Sequence, residues 1–225
     1  MCSLIDKIRD RGITRLCHFT KSTKMLHILS SVNGIQANDF MEYDVLNRND
    51  TNRFDGREDY ISTSIEYPNM WYLNKIKDSD PLFKDWVILC INPDIMLEKK
   101  TLFCETNAAF NRGSFLKSGI QGFEGMYNQR VCGNRRTDFY RQPTRLKSCP
   151  TNDQGEVMIY KQIPRHKIMY MIVPNIEAAR IEKSRLKFCG IDDNLDIIIC
   201  KELFTTDLSR MIANGIRPKE EKFEE

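Results

Sequence analysis

The sequence predicts an α+β domain. Strand-like runs are numerous, helical stretches are short, and the two do not alternate as they would in a doubly wound parallel sheet. Hydrophobic residues make up 41% of the 225 and charged residues 29%, enough for an ordinary core. No apolar run approaches the roughly 20 residues of a membrane span. Met1 to Lys7 lack the apolar core of a signal peptide, so the expected location is the cytoplasm.

Element by element, a short helix over residues 2–10 ends near Gly12. Arg15 to Phe19 read as a strand leading into Thr20. Ser22 or Thr23 is placed to cap a helix carrying Met25, Leu26, Ile28 and Leu29, closed near Asn33-Gly34. Residues 38–58 are polar and irregular, a candidate loop over a site. Tyr60 to Ile65 alternates as a strand should. Pro68 opens a helix through Met70, Trp71, Tyr72 and Ile76. Trp86 to Ile91 is a continuous apolar run, the pattern of a buried strand. Pro93 to Leu97 suits one helical turn. Residues 105–153 are rich in Gly, Asn, Arg and Thr with weak periodicity, and so long a segment with little regular structure is usually functional or mobile. Strands follow at 155–161 and Ile168 to Val173. Asn175 caps a helix through residue 187, Leu195 to Cys200 is another strand, and Asp207 caps a last short helix. The acidic tail Glu220 to Glu225 is expected to fray.

Several chemistries are excluded early. Eight cysteines contain no Cys-x-x-Cys pair, and only three histidines are present, so no metal site is expected. Cys90 and Cys200 lie in apolar runs and read as buried thiols. Cys17 and His18 are adjacent, so on a strand their side chains diverge and form no nucleophile–base pair. There is no P-loop and no dinucleotide Gly-x-Gly-x-x-Gly after a strand.

What remains points to a sugar bond. Glu156 opens the run Glu156-Val157-Met158-Ile159-Tyr160 after a long Arg-rich loop, with Val157 and Ile159 on the opposite face. A fixed carboxylate there suits an oxocarbenium-like sugar cation, as in glycoside cleavage, or a general base. His18, with Thr20 beside it, reads as a hydrogen-bond donor to a ribose or diphosphate. Arg53, in a polar loop with Asp55 and Gly56, reads as a guanidinium that clamps a diphosphate or holds the acceptor base; Arg48 and Arg57 are its neighbours. Ser62 and Ser64 put two hydroxyls on one strand face, a poor choice for a core and a good one for a pocket wall. Trp71 and Tyr72 supply aromatic surface. Arg130, Arg135, Arg136, Arg141, Arg145 and Lys147 interleave with Tyr127, Phe139 and Tyr140, the cation-and-ring mixture that suits single-stranded nucleic acid.

These residues, in this order, resemble a known family. His18-Phe19-Thr20, the Arg53 loop, Tyr60-Ile61-Ser62-Thr63-Ser64-Ile65 with Pro68-Asn69, Thr106-Asn107-Ala108-Ala109, and Gly155 to Lys161 ending at Pro164 are similar to the DarT toxins, NAD-dependent ADP-ribosyltransferases that modify bases in single-stranded DNA. The motifs cover about residues 11–175. The resemblance implies an ADP-ribosyltransferase-like split β-sandwich core with short flanking helices. It implies a single domain over 1–225, with 181–225 a C-terminal extension of it.

It further implies Glu156 and Arg53 as catalytic residues, and His18, Phe19, Thr20, Arg53, Ser62, Ser64 and Tyr72 around NAD, which serves as co-substrate without a metal. Arg135, Arg136, Tyr140, Arg141 and Arg145 would meet single-stranded DNA. The implied partner is an antitoxin, an ADP-ribosyl hydrolase of macrodomain or similar type, and no membrane is involved. The Ser-Thr-Ser strand with Pro-Asn departs from the thymine-modifying form, in which Pro-Arg and an aromatic stand there, so the acceptor is thymine or guanine. The competing expectations are the same chemistry on RNA or protein, and a non-catalytic module that binds single strands. An RNA 2′-phosphotransferase is disfavoured by Glu156, since that chemistry needs basic residues around a phosphate.

Overall fold

The structure is a computed structural model that describes residues 3–41, 55–79, 84–133, 137–191 and 195–224. In chain order the elements are α1 (Leu4–Arg11), β1 (Leu16–Lys21), α2 (Ser22–Ser30), β2 (Ile35–Gln36), β3 (Tyr60–Ile65), α3 (Met70–Ser79), β4 (Trp86–Ile91), α4 (Ile95–Glu98), β5 (Thr101–Cys104), β6 (Lys117–Ser118), α5 (Gly119–Gly125), β7 (Arg130–Cys132), β8 (Asp138–Tyr140), β9 (Glu156–Tyr160), β10 (Gln162–Ile163), β11 (Ile168–Val173), α6 (Ile176–Phe188), β12 (Asp196–Ile199), α7 (Asp207–Ala213) and β13 (Glu221–Lys222). Among the described residues no helix is long and apolar enough to cross a membrane.

A mixed sheet runs in the order β13-β12-β11-β4-β1-β3-β9-β5-β6. The pairs are antiparallel except β11 with β12. β4 lies inside it, and all six of its residues are buried. Val87, Leu89 and Ile91 enter one core with α2 and α6, through Met25, Leu29, Ala179 and Leu186. Trp86, Ile88 and Cys90 enter the other with α3 and α7, through Met70, Leu73, Leu208 and Ile212. Helices on both faces therefore explain why this run does not alternate. A short side ribbon, β2 with β10, closes against Gly34. A Cβ on Gly34 would sit 2.2 Å from the Ile163 carbonyl oxygen, so only glycine fits at that left-handed position.

The sheet has one weak seam. β1 pairs with β4 along its whole length, but with β3 only at Leu16↔Ile65 and Cys17↔Ser64. Glu66, the residue after β3, fastens that seam. Its amide donates to the Arg15 carbonyl (3.0 Å) and its own carbonyl accepts from Arg15 Nε (2.7 Å). Its buried carboxylate accepts from the Thr14 amide (2.9 Å), the Thr14 hydroxyl (3.0 Å) and Arg217 Nη1 (3.1 Å). Glu66 holds a left-handed φ of 66°, a backbone cost that these five bonds offset.

Three sequence expectations change. Among its described residues the acidic tail is docked, not frayed. Glu220 takes a bidentate grip on buried Arg15 (2.6 and 2.8 Å), and β13 pairs with β12; the bond to a buried guanidinium outweighs the acidity that suggested solvation. Ser22 is the first residue of α2, and its hydroxyl donates to Glu182 on α6 (2.5 Å) instead of capping. The 105–153 segment carries α5, whose Phe123 is fully buried. Glycines at 119, 122 and 125 hid that helix from a propensity reading, and packing overrides their cost. β5 also escaped the sequence reading.

The docked tail is testable. Glu220→Gln should leave the Arg15 cation under-compensated and lower unfolding free energy by about 3 kcal/mol in urea titration. A frayed tail would make the substitution silent.

Candidate functional site

Beyond Cys17 and Ser64, β1 and β3 no longer pair, and a cleft opens between them. Its volume is about 1150 Å³, ample for a ligand of dinucleotide size. His18 stands at the point of separation. Its Nδ1 lies 3.0 Å from the Ser62 carbonyl oxygen. A carbonyl only accepts, so Nδ1 carries the proton. Burial lowers the ring's pKa below its ordinary value, with a smaller push from Lys24. The ring is therefore neutral near pH 7 and Nε2 is an acceptor. This reverses the donor role expected of His18.

Glu156 begins β9 on the other side of the opening and is only 9% exposed. Both its oxygens are held. Ser62 Oγ donates to Oε2 (2.5 Å) and Asn107 Nδ2 donates to Oε1 (2.8 Å). Strand register explains the first contact: Ser62 sits opposite Met158, diagonal to Glu156 on the same face. The second depends on a turn. Asn107 Oδ1 accepts from the Ala109 amide (3.0 Å), which fixes which end of the amide faces the carboxylate. Asn107 belonged to a quoted motif but to no expected role; an Asn two residues before a backbone amide it can bond was the available signal.

The other expected residues divide. Phe19, Thr20, Ser62, Ser64 and Tyr72 line the cleft together with His18 and Glu156. Phe19 packs 6.1 Å from Tyr72 and 6.3 Å from Trp86, ring centre to ring centre, giving one wall an aromatic surface. Arg53 lies outside the described residues. Asp55 lines the cleft, and its carbonyl oxygen would be 2.8 Å from a Cβ on Gly113, so Asp55 lies against that turn only because residue 113 is glycine. Arg57, weighed as a substitute for Arg53, is exposed and stands over the Tyr60 ring.

Arg135 and Arg136 also lie outside the described residues. Tyr140, on the β7–β8 ribbon, is 58% exposed. Arg141 and Arg145 do not present free guanidinium groups, as the sequence reading had them do. Arg141 donates to the carbonyls of Cys149 (2.9 Å) and Leu146 (3.1 Å). Arg145 donates to the Pro150 carbonyl (2.5 Å) and pairs with Asp153, with its side chain only 7% exposed. Asp153 in turn accepts from Ser209 on α7. Tyr127 is buried, with the guanidinium groups of Arg11 and Arg141 near its ring. The basic-aromatic pattern is thus partly a scaffold. It folds the segment that delivers Glu156, because a guanidinium satisfies several loop carbonyls at once.

Among the described residues no group of three or more metal-ligating side chains comes together. A split sheet thus sets a neutral His on one lip of the cleft and a doubly held Glu on the other. The family model described as "ssDNA thymidine ADP-ribosyltransferase, DarT" matches residues 17–203, and the chain belongs to that family. Solved structures share the fold. DarT of Thermus sp. 2.9 in complex with ADP-ribosylated ssDNA superposes with a TM-score of 0.60 at 12% identity, over 86% of this chain and 97% of that one. The Thermus sp. 2.9 DarT in complex with NAD+ gives 0.57 at 12% identity, over 85% and 98%. Thermosipho africanus DarTG in complex with ADP-ribose gives 0.56 at 15% identity, over 85% of this chain and 51% of that one. This chain therefore spans about half the length of the DarTG chain. No curated protein matches it.

Two outcomes follow from this geometry. Asn107→Ala removes one charge-assisted bond, and turnover should fall about 10- to 100-fold with little change in KM or melting temperature. Arg141→Ala should lower the melting temperature and leave the salt dependence of DNA binding unaltered; a flatter slope would return Arg141 to the DNA surface.

Proposed function

We propose that this chain transfers ADP-ribose from NAD to a base in single-stranded DNA, with thymine as the acceptor. The observation that carries the reading is Glu156, held through both oxygens by Ser62 and Asn107 at the edge of the cleft. The family match supports the acceptor class.

In this mechanism the C1′–nitrogen bond of the nicotinamide ribose breaks and its electron pair leaves with nicotinamide. Positive charge develops on the ribose. A carboxylate already oriented by two neutral donors stabilises that charge without reorganising during the step. A base nitrogen then bonds to C1′, and Glu156 receives the proton it sheds. His18 Nε2, as an acceptor, takes a ribose hydroxyl; a diphosphate has no proton to offer it. Phe19 and Tyr72 provide the apolar wall, and Thr20 and Ser64 polar contacts. Arg53 remains the proposed catalytic arginine, supported by Asp55 lining the cleft two residues on.

On the DNA side the proposed contacts are Tyr140 and the segment joining β7 to β8, with Arg135 and Arg136. An unstacked base enters at little cost from a single strand. A cytoplasmic toxin working as one domain over 1–225, countered by an ADP-ribosyl hydrolase of macrodomain type, fits this activity. The docking of residues 217–222 onto Arg15, Glu66 and β12 supports the single domain.

The test is mass spectrometry of labelled oligonucleotides after incubation with NAD. Wild type should add one ADP-ribose to thymine-containing single strands, and Glu156→Gln should add none. Modification only of guanine would move the acceptor. Modification only of RNA or protein would move the substrate class, and NAD-independent binding without any adduct would reduce the chain to a binding module.

A further inference from the structure

The charges along the cleft are unevenly placed. Among the described residues that line it, the carboxylates are Glu156 on β9 and Asp55 in the loop before β3. The α2 and α3 walls carry none. α2 contributes Lys24 and His27, with Ser31 just beyond its end, and α3 contributes Tyr72, Lys75 and Ser79. Each set has the three- and four-residue spacing of one helix face. Two ammonium groups thus overlook the same opening from opposite helices.

Lys24 is the more informative of the two. It is half-buried, whereas Lys75 is exposed. Neither makes an ion pair or hydrogen bond with a described residue. The charged group that acts on Lys24 is Lys21, which repels it, and Lys24 in turn helps to lower the pKa of His18. Burial and then Lys21 push its pKa down to about 8. An ammonium that is partly desolvated and pairs with no carboxylate among the described residues is stabilised by an anion brought to it. Among the described residues several other cations have such a partner: buried Arg15 has Glu220, and half-buried Lys167 and Arg185 have Glu98 and Glu182, while half-buried Arg11 and Arg141 bond backbone carbonyls instead.

We propose that Lys24, assisted by Lys75 across the opening, is the oxyanion site of the cleft and takes the diphosphate of the dinucleotide. This rests on the reading of the cleft as an NAD site. In NAD the reacting ribose is bonded directly to a doubly charged diphosphate. Glu156 must lie near that ribose, and the same carboxylate repels the diphosphate. A cleft with its carboxylates on β9 and the loop before β3 and ammonium groups on the α2 and α3 walls orients such a ligand, because one direction of binding satisfies both ends. A backbone phosphate of single-stranded DNA has the same chemistry, and the experiment separates the two sources.

Calorimetry with ADP-ribose, adenosine and a thymine-rich oligonucleotide would be run on wild type, Lys24→Met, Lys24→Arg and Lys75→Met. Lys24→Met should weaken ADP-ribose about tenfold or more, and leave adenosine and the oligonucleotide as in wild type. Lys24→Arg should retain most of the affinity, and Lys75→Met should lose less than Lys24→Met. Equal ADP-ribose affinity in wild type and Lys24→Met overturns the proposal. So does an equal loss for adenosine, which marks a change of shape, or a loss confined to the oligonucleotide, which assigns the lysine to DNA. A wild-type protein that binds no ADP-ribose overturns the NAD reading itself and the proposal with it.

Discussion

β1 and β3 are joined by two residue pairs and then part, and nearly everything functional depends on that separation. A fully zipped pair would place Thr63 against His18 and leave no room for a ligand. Separation exposes backbone groups that need partners. His18 supplies one by donating from Nδ1 to the Ser62 carbonyl, so a residue that lines the cleft also satisfies the backbone where the strands part. The seam holds because Glu66 binds Thr14 and Arg15 through both backbone and carboxylate. The C-terminal segment braces it from behind through Arg217 and Glu220.

The second constraint is a carboxylate that is nearly buried and still has to act. Ser62 reaches Glu156 from β3 and Asn107 from the turn after β5, so two separate strands of the sheet set its orientation. The long segment before Glu156 is held as firmly. Arg141 and Arg145 bind the carbonyls of Leu146, Cys149 and Pro150 and the Asp153 carboxylate, and Asp153 ties the segment to α7. A long loop can thus deliver a reacting group with precision when guanidinium groups replace the missing secondary-structure bonds.

Much of the fold was legible because periodicity and burial agree. β3, β4, β9 and β11 lie where apolar runs and alternation put them, and Asn175 caps α6 with a bond to the Ala178 amide as its residue type suggests (2.8 Å). α5 was not legible, since three glycines outweigh one Phe in any local reading, and only the core around Phe103 shows why Phe123 is there. The tail misled because its acidity reads as solvation until Arg15 is found beneath it. The basic-aromatic loop misled for a related reason: an Arg that bonds carbonyls and an Arg that awaits phosphate have the same one-letter code.

The amino-acid order by itself determined the α+β class, the buried central strand, the family, and a His and a Glu on strand-like runs as the residues around which chemistry would gather. Those follow from side-chain type and spacing, which are local. Tertiary structure alone decided which nitrogen of His18 bonds the Ser62 carbonyl, that Asn107 completes the grip on Glu156, that Arg141 and Arg145 bond the chain's own carbonyls, and that Lys24 lines the cleft with no counter-ion among the described residues. Each of these depends on partners tens of residues away or on a partner's absence. Hydrogen bonds and charges act over a few ångströms of space, whatever their separation along the chain.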